Sequence, residues 1–442
     1  MPELPVPDQR RRWRLAKAVA VVAGAAVVLA ACSSAAPSAA KKKVKHDSGG
    51  ISSTTTTLAP GATTTTTSGS SHSSSGGSGS SGSGNKSSNS GGSGSSSGPC
   101  SSSAPGGVLG GSCDTSSPAM QLTGAGSNSI APFFSSVFYS YNQSNHNVSV
   151  NYNPAGSGTG VADIKANSVD FGDSEVPIAT PASGNGGAIL QLPVDLGGVA
   201  ISYNVSGAPN NLQITGAQLA EIYSSTTNLY WDTFFSNGSL PHELIKPVYR
   251  SDTSGPGYDL DQYLIDTSLS WASAVSNNPS TSWPSYGKGA NSSGQQLNTG
   301  VATYISETEG AIGYVEYAYA QEAGFTDAAL QNASDSYVSP SSSSIAAAGA
   351  EASNLSASNF NIVNGTGSAY PLANFSWTLV YQTQPNTNEG IVLGKLFDWV
   401  TTTGQGQAQK LGYSPLPSNA VSLAHSTLLE LQTSSGQKIF SS

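Results

Sequence analysis

The hydrophobic pattern divides this 442-residue chain into three stretches. Residues 18–31, AVAVVAGAAVVLAA, form one unbroken apolar run. Residues 33–118 are mostly Ser, Gly, Thr and Ala and show no apolar period. From about residue 120, short apolar or β-branched runs alternate with segments of helical spacing. VSVNYN (148–153), LGGVAISYNV (196–205), IKPVYR (245–250), AIGYVEYAYA (311–320) and FSWTLVYQ (375–382) read as strands. IAPFFSSVFYSYNQ (130–143), AQLAEIYS (217–224), GYDLDQYLID (257–266) and GIVLGKLFDWVTT (390–402) read as helices. Pro132 falls where a first helical turn tolerates it. The alternation predicts an α/β fold with largely parallel sheets. About 320 residues suit two α/β lobes better than one.

The first stretch is explained by its flanks. RRRWRLAK precedes the apolar run, which is too short to span a bilayer comfortably, and LAAC ends it at Cys32. This resembles the bacterial lipoprotein signal, in which cleavage leaves a lipid-modified cysteine as the first residue. A plain signal peptide or a short membrane anchor is the competing reading. On the lipoprotein reading, residues 1–31 are the signal and lipid on Cys32 holds the chain to the outer face of a membrane. Residues 32–118 have too little apolar surface to offset the entropy of ordering and read as a flexible linker. KKKVKH (41–46) forms a basic patch near its start. The 85 residues between Cys32 and Pro118 reach roughly 50 Å as a random coil. Cys100 and Cys113 are the remaining cysteines, an even pair outside the cytoplasm, and a local disulfide between them is expected, with two free thiols as the alternative. Residues 119–442 form the folded part.

Charge narrows the partners. Residues 119–442 hold 7 basic and 22 acidic side chains, a net of 7 − 22 = −15. That surface argues against nucleic acid, which needs basic stripes, and against attraction to anionic lipid. An anion bound here must be held by local donors against the overall field.

Such donors are present in four loops of one design, each a strand followed by small residues and then a helix. They are LTGAGSNSIAP (122–132), NPAGSGTGVADIK (153–165), VDFGDSEVPI (169–178) and YRSDTSGPGYDL (249–260). Glycines let backbone N–H groups converge, helix N-termini add partial positive charge, and serines supply neutral donors. Any one loop is equally well an ordinary capped turn. The fourth, however, holds Arg250, the only arginine after residue 14. A fixed fork of that kind suits an oxyanion, and Asp252 two residues on can brace it. A structural Arg–Asp surface pair is the plain alternative.

These loops, in order with GAIGYVEYAYA and the late LGYSPLP, resemble the PstS-like phosphate-binding lipoproteins of bacterial phosphate ABC transporters. The resemblance covers about residues 120–420. It implies a type II periplasmic-binding-protein fold, two lobes joined by a hinge and closing over one phosphate. One lobe would take residues of about 119–198 and 368–442, the other about 199–367. It implies inorganic phosphate as ligand, a membrane permease and ATPase as partners, and no cofactor or metal. Carried over position by position, it assigns phosphate contacts to Asn128, Ser129, Ser157, Glu175, Arg250, Ser254 and Gly255. Ser127, Asp173, Asp252 and Gly257 stand in support, with Asp173 the alternative acceptor to Glu175.

Three departures stand out. Asn128 and Pro256 occupy positions where the family usually has threonine, and Glu175 replaces aspartate. Proline offers no N–H, so a contact is lost unless Gly257 takes over. These changes keep another oxyanion or a phosphorylated metabolite in view as ligand. An enzyme is disfavoured: His46, His72, His146, His242 and His425 show no HxH or HExxH spacing, and GSGTG has no central serine. An adhesive surface protein would suit the linker but leaves the four loops unexplained.

Overall fold

The computed structural model describes residues 118–440. The signal, the linker, Cys32, Cys100 and Cys113 lie outside the described residues. In chain order the main elements are β1 (Met120–Gly126), α1 (Ala131–Ser144), β2 (Val148–Asn153), α2 (Ser157–Ala166), β3 (Phe171–Ser174) and β4 (Gly187–Asn204). There follow α3 (Gly216–Ser224), β5 (Lys246–Arg250), α4 (Gly255–Thr267), β6 (Ser293–Gln295), α5 (Leu297–Glu307), β7 (Ala311–Glu316) and α6 (Tyr317–Ala323). The last are β8 (Ala373–Tyr381), α7 (Thr387–Thr401) and α8 (Ser418–Leu428).

Local chemistry sets these elements. In α1, Phe133, Phe134, Val137, Phe138 and Tyr141 recur at helical spacing and are buried together. Thr215 and Gln218 form a reciprocal capping box at the start of α3. Ser254 caps α4, its hydroxyl accepting from the Gly257 N–H. α6 stops at Gly324, which is left-handed at φ 65°.

One ten-stranded sheet runs through the molecule in the order β2-β1-β3-β8-β4-β7-β5-β6, with two short strands pairing β4 off that path. Pairing is parallel in β2-β1-β3 and in β7-β5-β6. The centre is different: β8 is antiparallel to β3 and β4, and β4 to β7. The expectation of largely parallel sheets therefore holds only for the two flanks. The cause is β4, 18 residues long. It pairs with β8 through Gly198 and with β7 from Val199 onward, so one strand serves both flanks. Its interior is covered on both faces, which is why it reads as a continuous apolar run.

Residues 311–320 are a second difference. The strand ends at Glu316 and the next seven residues are helical. Tyr317 and Tyr319 carry the β-like composition, but Ala318 and Ala320 beside them favour the helix. Two aromatic-rich cores flank the sheet. One gathers Phe134, Phe171, Phe397 and Phe440, and the other gathers Trp231, Trp271, Tyr263 and Tyr314.

Candidate functional site

The loops leaving β1, β2, β3 and β5 all start at the carboxyl ends of parallel strands, where open α/β sheets place their ligands. The first runs from Ser127 to Ile130 into α1. The second brings Gly156, at φ 103°, to the N-terminus of α2. The third carries Glu175 just past β3, and the fourth joins Arg250 to the capped end of α4. Ser127, Asn128, Ser129, Ser157, Asp173, Glu175, Arg250 and Ser254 are all buried.

The two sides meet closely. A Cβ on Gly255 would lie 2.2 Å from Glu175 Cβ and 2.3 Å from its Oε2. A Cβ on Gly156 would lie 3.3 Å from Asp252 Oδ2. Glycine is therefore required at Gly255 for the α4 N-terminus to approach Glu175, and at Gly156 for the left-handed backbone as well.

Arg250 is 2% exposed. Its Nε donates to Asp252 Oδ1 at 2.8 Å and its Nη2 to Asp252 Oδ2 at 2.5 Å. Burial works against its charge, but Asp252 and then Glu175 outweigh that, and the guanidinium stays protonated with its pKa raised. Asp252 is fixed in turn by the Leu297 N–H at 3.0 Å. Despite its own partial burial, the Arg250 fork holds its carboxyl below the usual range. Arg250 Nη1 is buried with no hydrogen-bond partner in the protein.

Glu175 faces it. Burial pushes its carboxyl up, while the hydroxyls of Ser129, Ser127 and Ser157 and the Arg250 charge pull the other way without cancelling the rise. Ser157 Oγ lies 3.4 Å from Glu175 Oε2. Glu175 Oε1 is buried and unpartnered. Asp173 is placed differently: its Oδ2 accepts from Thr378 Oγ1 at 3.3 Å, its carbonyl accepts from the Ser127 N–H at 3.1 Å, and only Oδ1 is left over.

Three serine hydroxyls have their accepting role filled from within. Ser127 Oγ accepts from the Ser129 N–H at 3.0 Å, Ser129 Oγ from Asn298 Nδ2 at 3.0 Å, and Ser254 Oγ from the Gly257 N–H at 3.1 Å. A hydroxyl has one proton to give: Ser127 and Ser129 direct theirs at Glu175, and Ser254 retains its own. Gly257 is thus committed to Ser254, and does not replace the N–H that Pro256 lacks. The Tyr258 N–H bonds back to the Ser254 carbonyl, so the first turn of α4 offers the Gly255 N–H.

Sequence reading placed Asn128 among the ligand contacts. In the structure its amide Nδ2 donates to Tyr319 Oη at 2.8 Å and its Oδ1 accepts from the Asn298 N–H at 2.7 Å. Asn298, Glu316, Tyr319 and Leu297 were missed. Tyr319 and Glu316 sit inside the singled-out GAIGYVEYAYA stretch, whereas Asn298 follows SSGQQL, which has the composition of a loop.

Asp195, Asp259 and Glu316 share this interior with Asp173 and Glu175. Burial first, and then mutual repulsion, raise all their carboxyls. Among the described residues no group of three or more His, Cys, Asp or Glu side chains is placed to hold a metal ion. The arrangement is a buried cluster with one guanidinium, several hydroxyls, a backbone N–H at a helix start and one carboxyl acceptor. Such a set can hold a small oxyanion that itself carries a proton.

Comparison with known proteins places the chain in a family. Residues 110–403 match the family PBP_like_2, a PBP superfamily domain. The phosphate-binding protein PstS of Xylella fastidiosa (strain 9a5c) is 35% identical over 313 residues, covering 69% of this chain and 83% of the relative. The phosphate-binding protein PstS of Haemophilus influenzae is 31% identical over 314 residues, covering 69% and 91%. Among solved structures, a phosphate-binding protein from Stenotrophomonas maltophilia superposes with a TM-score of 0.55 at 18% identity, covering 70% of this chain and 94% of that one. This last likeness concerns the fold, which is the periplasmic-binding-protein fold. With family match, identity and fold in agreement, the chain belongs to the PstS family of phosphate-binding proteins within the PBP superfamily.

Proposed function

We propose that this protein captures inorganic phosphate between two lobes and delivers it to the membrane permease and ATPase of an ABC-type importer. The lobes comprise residues of about 119–198 with 368–442, and about 199–367, and they turn about the point where β4 changes partners. The observation that carries the reading is a pair of buried atoms without a partner in the protein, Arg250 Nη1 and Glu175 Oε1, on two residues close enough for each to shift the other's charge. One is a donor and the other an acceptor, and a protonated phosphate satisfies both. Ser127, Ser129 and Ser157, whose hydroxyls bond Glu175 here, would turn their protons to the anion, joined by Ser254 and the Gly255 N–H. Sulfate brings no proton, so it leaves the Glu175 acceptor unsatisfied or opposed, at a cost of about 1–3 kcal/mol.

The relatives' names support phosphate as the ligand. They are named as binding proteins, and that supports reading the role here as binding rather than turnover. The place of action is the extracytoplasmic face of the cell membrane, with lipid on Cys32 as anchor and a disulfide between Cys100 and Cys113. Because Pro256 removes one N–H from the start of α4, the anion is the element most in need of direct test. Thermal shift of residues 119–442 with phosphate, arsenate, sulfate and phosphate esters gives it. Phosphate and arsenate should raise the melting temperature strongly, sulfate weakly and esters not at all. Stronger stabilisation by an ester or by sulfate would refute phosphate as the ligand.

A further inference from the structure

We propose that Asn128 serves closure and not the ligand. With Asn298 and Tyr319 it forms a clasp that sets how long the cleft retains its anion. The inference rests on reading the site as an anion cleft.

Both functional groups of the Asn128 amide are used across the cleft. Nδ2 donates to Tyr319 Oη at 2.8 Å, and Oδ1 accepts from the Asn298 N–H at 2.7 Å. The Tyr319 hydroxyl in turn donates to the Asn128 carbonyl at 2.9 Å. Asn298 adds a second link, its Nδ2 donating to Ser129 Oγ at 3.0 Å. Its own Oδ1 accepts from the Glu316 N–H at 3.0 Å, which ties it to β7. Asn128 is 4% exposed and Asn298 is fully buried. Asn128 Oδ1 and one of the two Nδ2 hydrogens are committed in this way, which leaves at most one N–H of the side chain for a ligand.

The residue before Asn298 supports a built device. Leu297 has φ 59°, a left-handed backbone that a bulky side chain adopts only when its surroundings impose it. That turn aims two successive N–H groups, one at Asp252 Oδ1 and the next at Asn128 Oδ1. The same strained corner therefore steadies the Arg250 fork and fastens the clasp. Bonds that form only on closure act on release far more than on capture.

The test is rapid-mixing kinetics with inorganic phosphate on Asn128→Ala, Tyr319→Phe and the double variant. Each single change should raise the release rate about tenfold. The association rate should stay within about threefold, and the phosphate-to-sulfate preference should not change. The double variant should be at most about twofold worse than the worse single, because the two side chains share bonds. An unchanged release rate would overturn the clasp. So would a fall in association rate together with a shifted anion preference, which would mean that Asn128 touches the ligand. If the wild-type protein binds no phosphate in calorimetry, the functional reading fails separately. The clasp is then judged by small-angle scattering, where the variants must be larger than wild type, and equal sizes refute it.

Discussion

At the residue scale the proposed site turns on a single positive charge and its acceptor. Arg250→Ala removes the one guanidinium of the proposed site and leaves the half-buried Asp252 without its partner. Phosphate affinity should fall more than tenfold in titration calorimetry, and an unchanged affinity would mean that the fork is only structural. Glu175→Gln exchanges an acceptor for an amide that can also donate. The ratio of phosphate to sulfate affinity should then narrow, by about tenfold if the acceptor carries 1–3 kcal/mol. A constant ratio would point to Asp173. Much of this was legible from the sequence, because an isolated arginine followed by Asp, Ser and Gly carries a specific chemistry. The clasp was not legible. Asn298 acts through its backbone N–H as much as its side chain, and Leu297 through a dihedral angle, and neither leaves a mark in residue type.

At the element scale the decisive piece is the start of α4. An alanine at Gly255 favours a helix in isolation. Here its Cβ would fall 2.2 Å from Glu175 Cβ, so the two sides cannot meet. Gly255→Ala should fold with a melting temperature within a few degrees of wild type yet lose phosphate binding by more than a hundredfold. Retained affinity would show that closure tolerates a shift of α4. Elements with strong periodicity or clear caps were readable, α1, α3, α4 and α7 among them. α5 and α8 were not, since Gln296 and Pro417 give no side-chain cap to announce them. The full length of β4 was also hidden, because glycine and proline within GAILQLPVDLGG break the look of a strand. Burial on both faces overrides that propensity.

At the scale of the whole molecule, charge works in two opposing ways. Asp327 accepts from Ser202 Oγ, and burial pushes its carboxyl up to about 6. A carboxyl that is higher folded than unfolded adds stability below its unfolded value of about 4 and loses it as pH rises through 6. Asp173, Asp195, Asp259 and Glu316 are raised in the same sense and extend the loss upward. In phosphate-free buffer the melting temperature should therefore fall from pH 4 to pH 7, and Asp327→Asn should flatten the part between about 4 and about 6. A rise over that interval in calorimetry would contradict the buried-acid account. Outside, the net charge of −15 for residues 119–442 repels an incoming anion, while Asp252 already cancels the Arg250 field. The phosphate association rate should thus increase as salt screens that exterior, the reverse of ordinary electrostatic steering.

The first and last described strands and helices also share one core: Leu122 of β1 and Phe440 near the end belong to the same aromatic cluster. On the two-lobe reading proposed above, the chain enters the molecule at the jaw that holds this core. A pull on that entry point would then act on one jaw and not on the other, so capture would need no slack in the attachment.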